Sequence, residues 1–249
     1  MSYLQGNKGA LKRKSEYIST RQILIVTEGQ VTEEVYFKWL KKELRLSSVK
    51  IDVIGVGADP LTVVKKGEEH YELAGGNYDT VYCIVDRDKH PPKKILEAKD
   101  QVLKKKNKSV FRFVISLPCI EYWFMLHFKL DKKPYEQPIK KSGGSMGRIC
   151  KSKFKKECYN QYDETNKTIL TELFSKEFDL NARVSAIERA RELMDLIEAD
   201  DNINPTTMLF IPAIDLEILG GQLLPEHKIK PIEQKEYEEY IESFFKRFK

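Results

Sequence analysis

Apolar runs alternate with helically spaced segments along the first half of the chain. QILIVT (22–27) is β-rich and uninterrupted by charge, the pattern of a strand covered on both faces. Behind it, residues 32–46 space Val35, Tyr36, Trp39, Leu40 and Leu44 at helical intervals. KIDVIGV (50–56) reads as a second strand, and Asp59-Pro60 opens a helix with Asp as N-cap and Pro at the first position. DTVYCIV (79–85) predicts a third strand that runs into Asp86-Arg87-Asp88 and a Lys-rich helix over 93–106. SVFRFVIS (109–116) predicts a fourth strand, and Ser116-Leu117-Pro118 starts a helix holding Ile120, Trp123, Phe124, Leu126 and His127. Such alternation predicts an α/β fold with a mostly parallel, doubly wound sheet, flanking helices and right-handed crossovers.

The pattern changes after Phe128. Residues 129–156 hold ten Lys or Arg against two acids and include SGGSMG (142–147), which reads as a flexible loop. Helical spacing resumes over 166–177 and over 182–199, where Val184, Ile187, Leu193, Met194 and Ile197 form an apolar face. EYEEYIESFFKRFK (236–249) is also helix-prone. Residues 1–20 carry Lys8, Lys12, Arg13 and Lys14 against Glu16, without apolar periodicity. The expected division is a basic N-terminal tail (1–20), an α/β domain (21–128), and a basic loop with a largely helical C-terminal region (129–249).

Composition narrows the function classes. A chain of 249 residues with 41% hydrophobic and 33% charged residues can bury a core, so wholesale disorder is excluded. No run reaches the roughly 18 apolar residues of a membrane span. The opening MSYLQGNKGALKRKSEY lacks a signal-peptide core, so a cytoplasmic, membrane-free protein is expected. Cys83, Cys119, Cys150 and Cys158 contain no CxxC pair, which argues for reduced thiols over zinc or disulfides. The net charge of +5 permits a nucleic-acid partner without requiring one, so the clustering of charge matters more than its sum.

Chemistry concentrates at strand exits. In an open α/β sheet, residues just past the C-terminal strand ends share one crevice. Glu28 follows the first strand, and Asp86 and Asp88 follow the third. Ionised together they repel, and a divalent cation is the usual remedy. Oxygen-only donors suit Mg²⁺ or Mn²⁺, which also accept phosphate oxygens. The plainer reading of Thr27-Glu28-Gly29 and of Asp86-Arg87-Asp88 is a solvated turn. Glu121 falls in the first helical turn after Pro118, where the helix dipole favours a carboxylate, so it reads either as a cap or as a catalytic or metal-binding group. His127, on an apolar helix one turn after Trp123, reads as a packed core imidazole. Arg87, Lys89, Lys140, Lys141, Arg148, Lys151, Lys153 and Lys155 are the candidates for holding a phosphate backbone, with Tyr135, Phe154 and Tyr159 near enough in sequence to stack bases. A phospho-receiver domain also gathers acids after strands one and three, but Glu28 is followed by Gly29 rather than by a second acid, and no clear fifth strand follows.

The order hydrophobic strand, Glu-Gly, strand, Asp-x-Asp resembles the TOPRIM fold of topoisomerases, bacterial primases and OLD-type nucleases. More narrowly, ILIVTEGQVTEEVYF, VYCIVDRD, ISLPCIEYWFMLHF and NPTTMLFIPAIDLEIL together resemble the RloB family of restriction-modification and abortive-infection loci, over residues 20–220. The resemblance implies a TOPRIM-like, Rossmann-like sheet and metal-dependent cleavage of RNA or DNA in antiviral defence, often beside an ATPase partner encoded nearby. It assigns Glu28 as the acid/base group and Asp86 and Asp88 as magnesium ligands, and does not fix the role of Glu121. Self-association stays open. The rival class is a catalytically inactive nucleic-acid-binding or sensor subunit that works with the ATPase.

Overall fold

In the computed structural model the described residues are 21–44, 49–88, 90–104, 110–132 and 145–199. They form β1 (Arg21–Thr27), α1 (Thr32–Leu44), β2 (Val49–Gly55), α2 (Pro60–Leu73), β3 (Thr80–Asp86), α3 (Pro92–Leu103), β4 (Phe111–Ser116), α4 (Ile120–Phe128), α5 (Met146–Glu157), α6 (Lys167–Glu177) and α7 (Leu180–Ala199). The basic tail, Lys89, Lys140, Lys141, Tyr135, the NPTTMLFIPAIDLEIL block and the helix-prone C-terminal stretch lie outside the described residues.

All strand pairs are parallel, in the order β2-β1-β3-β4. Ile23, Leu24, Ile25 and Val26 are fully buried because β1 is central and helices cover both faces, as its unbroken apolar run requires. The chain leaves β1 for its neighbour on one side and later enters β3 on the other. With right-handed crossovers, α1 therefore covers one face while α2 and α3 cover the opposite face. The switch point of this sheet lies between β1 and β3, and the loops leaving those strands diverge there.

Helix α4 has eight of its nine residues buried, as expected of a helix apolar on all sides. It packs on α1, α5 and α6 through an aromatic cluster of Tyr36, Trp39, Trp123, Phe124, Phe154, Phe174 and Phe178, and it also packs on α7. Trp123 Nε1 donates to the Tyr36 hydroxyl at 2.9 Å, so the cluster leaves the indole satisfied. Each such ring contributes roughly 2–3 kcal/mol by burial, which fixes α4 and α5 beside the strand ends. His127 is a core imidazole, stacked on Phe178 with ring centroids 3.8 Å apart. The four cysteines are free, with Cys83, Cys119 and Cys150 buried.

One element departs from the sequence pattern. Residues 146–157 form a helix where a flexible basic loop was expected. Met146, Cys150 and Phe154 repeat every fourth residue and are buried together, and that stripe holds the basic segment against α4. The Ser145 hydroxyl accepts from the Arg148 amide and caps the helix.

Candidate active site

The exit of β1 is shaped by a hydrogen bond from its own loop. The Gly29 amide donates to Glu33 Oε1 at 3.1 Å, and a Cβ at position 29 would fall 1.8 Å from the Glu33 carboxylate. A side chain at position 29 would displace the Glu33 carboxylate, so the glycine leaves room for Glu33 to be drawn back to the strand end. Glu28 itself bridges the switch point. Its Oε2 accepts the Asp86 amide at 3.3 Å, and its Oε1 lies 2.8 Å from His90 Nε2.

Asp86 ends β3 beside it. Asp86 Oδ1 is buried and has no hydrogen-bond partner. From α4, Glu121 enters the same space, buried, with Oε1 accepting from the Tyr162 hydroxyl at 2.5 Å and Oε2 unpartnered. Glu121 lies in the first turn of α4, as the sequence predicts, but the N-cap residue is Cys119, which makes no side-chain cap hydrogen bond. From α5, Lys151 Nζ stands 3.9 Å from Glu121 Oε1 and is paired with Glu164.

Glu28, Gly29, Glu33, Asp86, Glu121, Lys151 and Glu164 line one cleft of about 500 Å³, which also includes Gln30, Thr32, Asp59 and Thr165. Its electrostatics are those of carboxylates packed too closely for their charge. Burial, reinforced by Glu33, Glu121 and Glu28, holds Asp86 well above the carboxylate range. Burial, with Glu121 and Glu28 adding to it, pushes Glu33 up to about 7. Burial works against the charge of Lys151, but Glu121 and Glu164 outweigh it and hold its pKa above the ordinary value.

The other expected residues are placed differently. Asp88 points to α5: its Oδ1 accepts the Gly147 amide at 2.6 Å and its Oδ2 the Ser145 hydroxyl at 3.1 Å. Arg87 is buried, with its guanidinium donating to the His90 carbonyl. Lys153 pairs with Asp131 at 2.5 Å, away from the cleft. Arg148 and Lys155 are exposed on α5 at helical spacing from Lys151, so the three share a face. The sequence pattern does not single out Glu33, His90, Tyr162 or Glu164. Glu33 had a signal, a second acid four residues after Gly29 at the start of a helix; the others had none outside three dimensions.

Among the described residues no three His, Cys, Asp or Glu side chains form a preassembled metal-binding group. The chemistry of the donor set nevertheless fits a hard divalent cation. The cleft offers carboxylate oxygens, two of them buried and unpartnered, and their mutual repulsion is what a cation relieves. Glu28, Asp86 and Glu121 would hold it; Asp88 would have to release α5 to join them.

A family model described as RloB-like protein matches residues 23–211. No curated protein and no solved structure gives a significant match. No described helix is long and apolar enough to cross a membrane.

Proposed function

The chain belongs to the RloB-like family, and we propose that its acidic cleft is the active site of a metal-dependent nuclease that cuts a phosphodiester bond in RNA or DNA. The observation that carries this reading is that Asp86 and Glu121, each with one buried and unpartnered carboxylate oxygen, line one cleft at the switch point of the sheet, with an ammonium group on its wall. Nothing in an isolated fold is gained by burying repelling carboxylates, so the arrangement makes sense for a cationic ligand.

A bound Mg²⁺ or Mn²⁺ supplies neutralisation of the phosphoryl oxygens and a more acidic water. The chain supplies the rest. Asp86 and Glu121 contribute anionic oxygens from two different elements, which fixes the site relative to both β3 and α4. Lys151 offers the ammonium that a non-bridging phosphate oxygen needs. Glu28 accepts the proton of the attacking water, and His90, bonded to its other face, keeps the carboxylate aimed. The face of Arg148, Lys151 and Lys155 leads the backbone to the cleft. The resemblance to abortive-infection loci supports a role in antiviral defence in the cytoplasm, with an ATPase partner.

The test is cleavage of a panel of tRNA, single-stranded RNA, and single- and double-stranded DNA with Mg²⁺ or Mn²⁺ and with EDTA, alone and with the neighbouring ATPase. Metal-dependent cutting of one class supports the nuclease. Binding without cutting under every condition assigns the chain to the sensor class instead.

A further inference from the structure

Six acids, Glu28, Glu33, Asp59, Asp86, Glu121 and Glu164, line the cleft with Lys151 as the cation among its described lining residues. Lys151 does not stand open to an incoming anion. Its Nζ is paired with the carboxylate of Glu164 and sits 3.9 Å from that of Glu121. The two acids differ in kind. Glu121 is a fixed wall, 1% exposed and held by Tyr162, whereas the Glu164 side chain is 45% exposed and rooted in the connection between α5 and α6.

The backbone of that connection is pinned around Glu164. Thr32 Oγ1 donates to the Glu164 carbonyl at 3.2 Å, which ties the connection to the first turn of α1. Asp163 Oδ1 accepts the amide of Thr165 at 2.9 Å and its hydroxyl at 2.7 Å, and Asn166 caps α6 through the amides of Thr168 and Ile169. The main chain is therefore set, and the exposed carboxylate is the part free to swing without disturbing the core.

We infer that Glu164 is an internal anion that occupies Lys151 in the absence of substrate and must be displaced by a substrate phosphate, so that it sets the affinity of the cleft for nucleic acid. This inference rests on the nuclease reading and names its gate. A phosphate and a carboxylate compete for the same ammonium, and both cannot approach Lys151 closely without repelling each other. The exchange is also cheap to run, because a pair with half of one partner in water is worth little to the fold. The device favours ligands that present two or more phosphates, since the neighbouring basic face of α5 compensates for the ion pair that is lost.

The experiment is equilibrium binding of a fluorescently labelled single-stranded oligonucleotide, in RNA and DNA versions, with Ca²⁺ replacing Mg²⁺. Wild type, Glu164→Gln, Lys151→Met and the double variant are compared, with thermal melting of each. Glu164→Gln is expected to bind roughly three- to tenfold tighter and to melt within a degree or two of wild type. Lys151→Met is expected to bind more weakly, and adding Glu164→Gln to it should then gain much less than in wild type. Wild-type binding with no gain in Glu164→Gln, or the same gain with Lys151 absent, overturns the gate alone. Absence of binding by all four proteins overturns the nucleic-acid site as well.

Discussion

Asp88 accepts the main-chain amide of Gly147 at 2.6 Å, and through that bond the exit of β3 holds the start of the helix that carries Lys151. The site therefore needs a contact between two residues that never enter the cleft. Gly147 is buried so closely against this carboxylate that a Cβ there would lie 2.4 Å from Asp88 Oδ2. Gly147→Ala is expected to push α5 outward and to destabilise the fold by about 1–3 kcal/mol. Urea unfolding should show that loss, and cleavage should fall at least as far as in Lys151→Met. Wild-type stability and activity in Gly147→Ala would contradict the coupling.

The Asp86 carboxylate is a liability to the fold when no cation is present. Burial and the charges of Glu33, Glu121 and Glu28 all oppose its ionisation, and an amide removes that opposition while keeping the shape. Asp86→Asn should accordingly be more stable than wild type by about 1–2 kcal/mol in EDTA at pH 8. Added Mg²⁺ should narrow the gap, because only wild type gains from binding it. Urea midpoints with and without metal decide this, and an Asp86→Asn protein less stable than wild type in EDTA rules it out.

His90 lies 2.8 Å from Glu28 Oε1 and touches no other carboxylate that lines the cleft among the described contacts. Its expected role is to aim Glu28. His90→Ala should lower kcat by roughly tenfold and leave KM nearly unchanged, and His90→Gln should recover part of the loss through its amide. A change confined to KM would place His90 in substrate binding.

The imidazole of His127 has an acid-sensitivity of its own. Burial, with Arg183 and Arg189 nearby, pushes it down to about 3, while Nδ1 sits 3.0 Å from the Trp123 carbonyl. Unfolding returns it to about 6.5, so between these values the unfolded chain binds more protons and stability rises with pH. The contribution is complete above the unfolded value and is lost as pH falls towards the folded one, by up to an amount on the order of 4 kcal/mol. Stability curves between pH 4 and 7 should be flatter in His127→Gln, even though that variant is weaker at neutral pH. Parallel curves would show that other groups carry the acid response.

The strands and the acids at their ends could be read from the sequence for one physical reason: both are set by near neighbours. An unbroken apolar run such as Ile23 to Val26 has to be covered on both faces, and a carboxylate directly after it has to face the crevice. Helix α5 was hidden because five Lys or Arg residues dominate its composition, while the stripe that packs it is only Met146, Cys150 and Phe154. Asp88 is close to Asp86 in the sequence, yet it sits two residues further on and is captured by Gly147, some sixty residues away in the chain. Tyr162 meets Glu121, and Glu164 lines the cleft, only because Phe154, Phe174 and Phe178 dock α5 and α6 on α4.

The central claim is tested most directly by cleavage of the substrate class that wild type cuts, comparing it with Glu28→Gln and Asp86→Asn at equal protein and saturating Mg²⁺. Both variants keep their shape and each removes one charge from the cleft, so each should lose at least a hundredfold in rate while remaining folded by thermal melting. Cleavage at the wild-type rate by either variant would contradict an active site at the ends of β1 and β3.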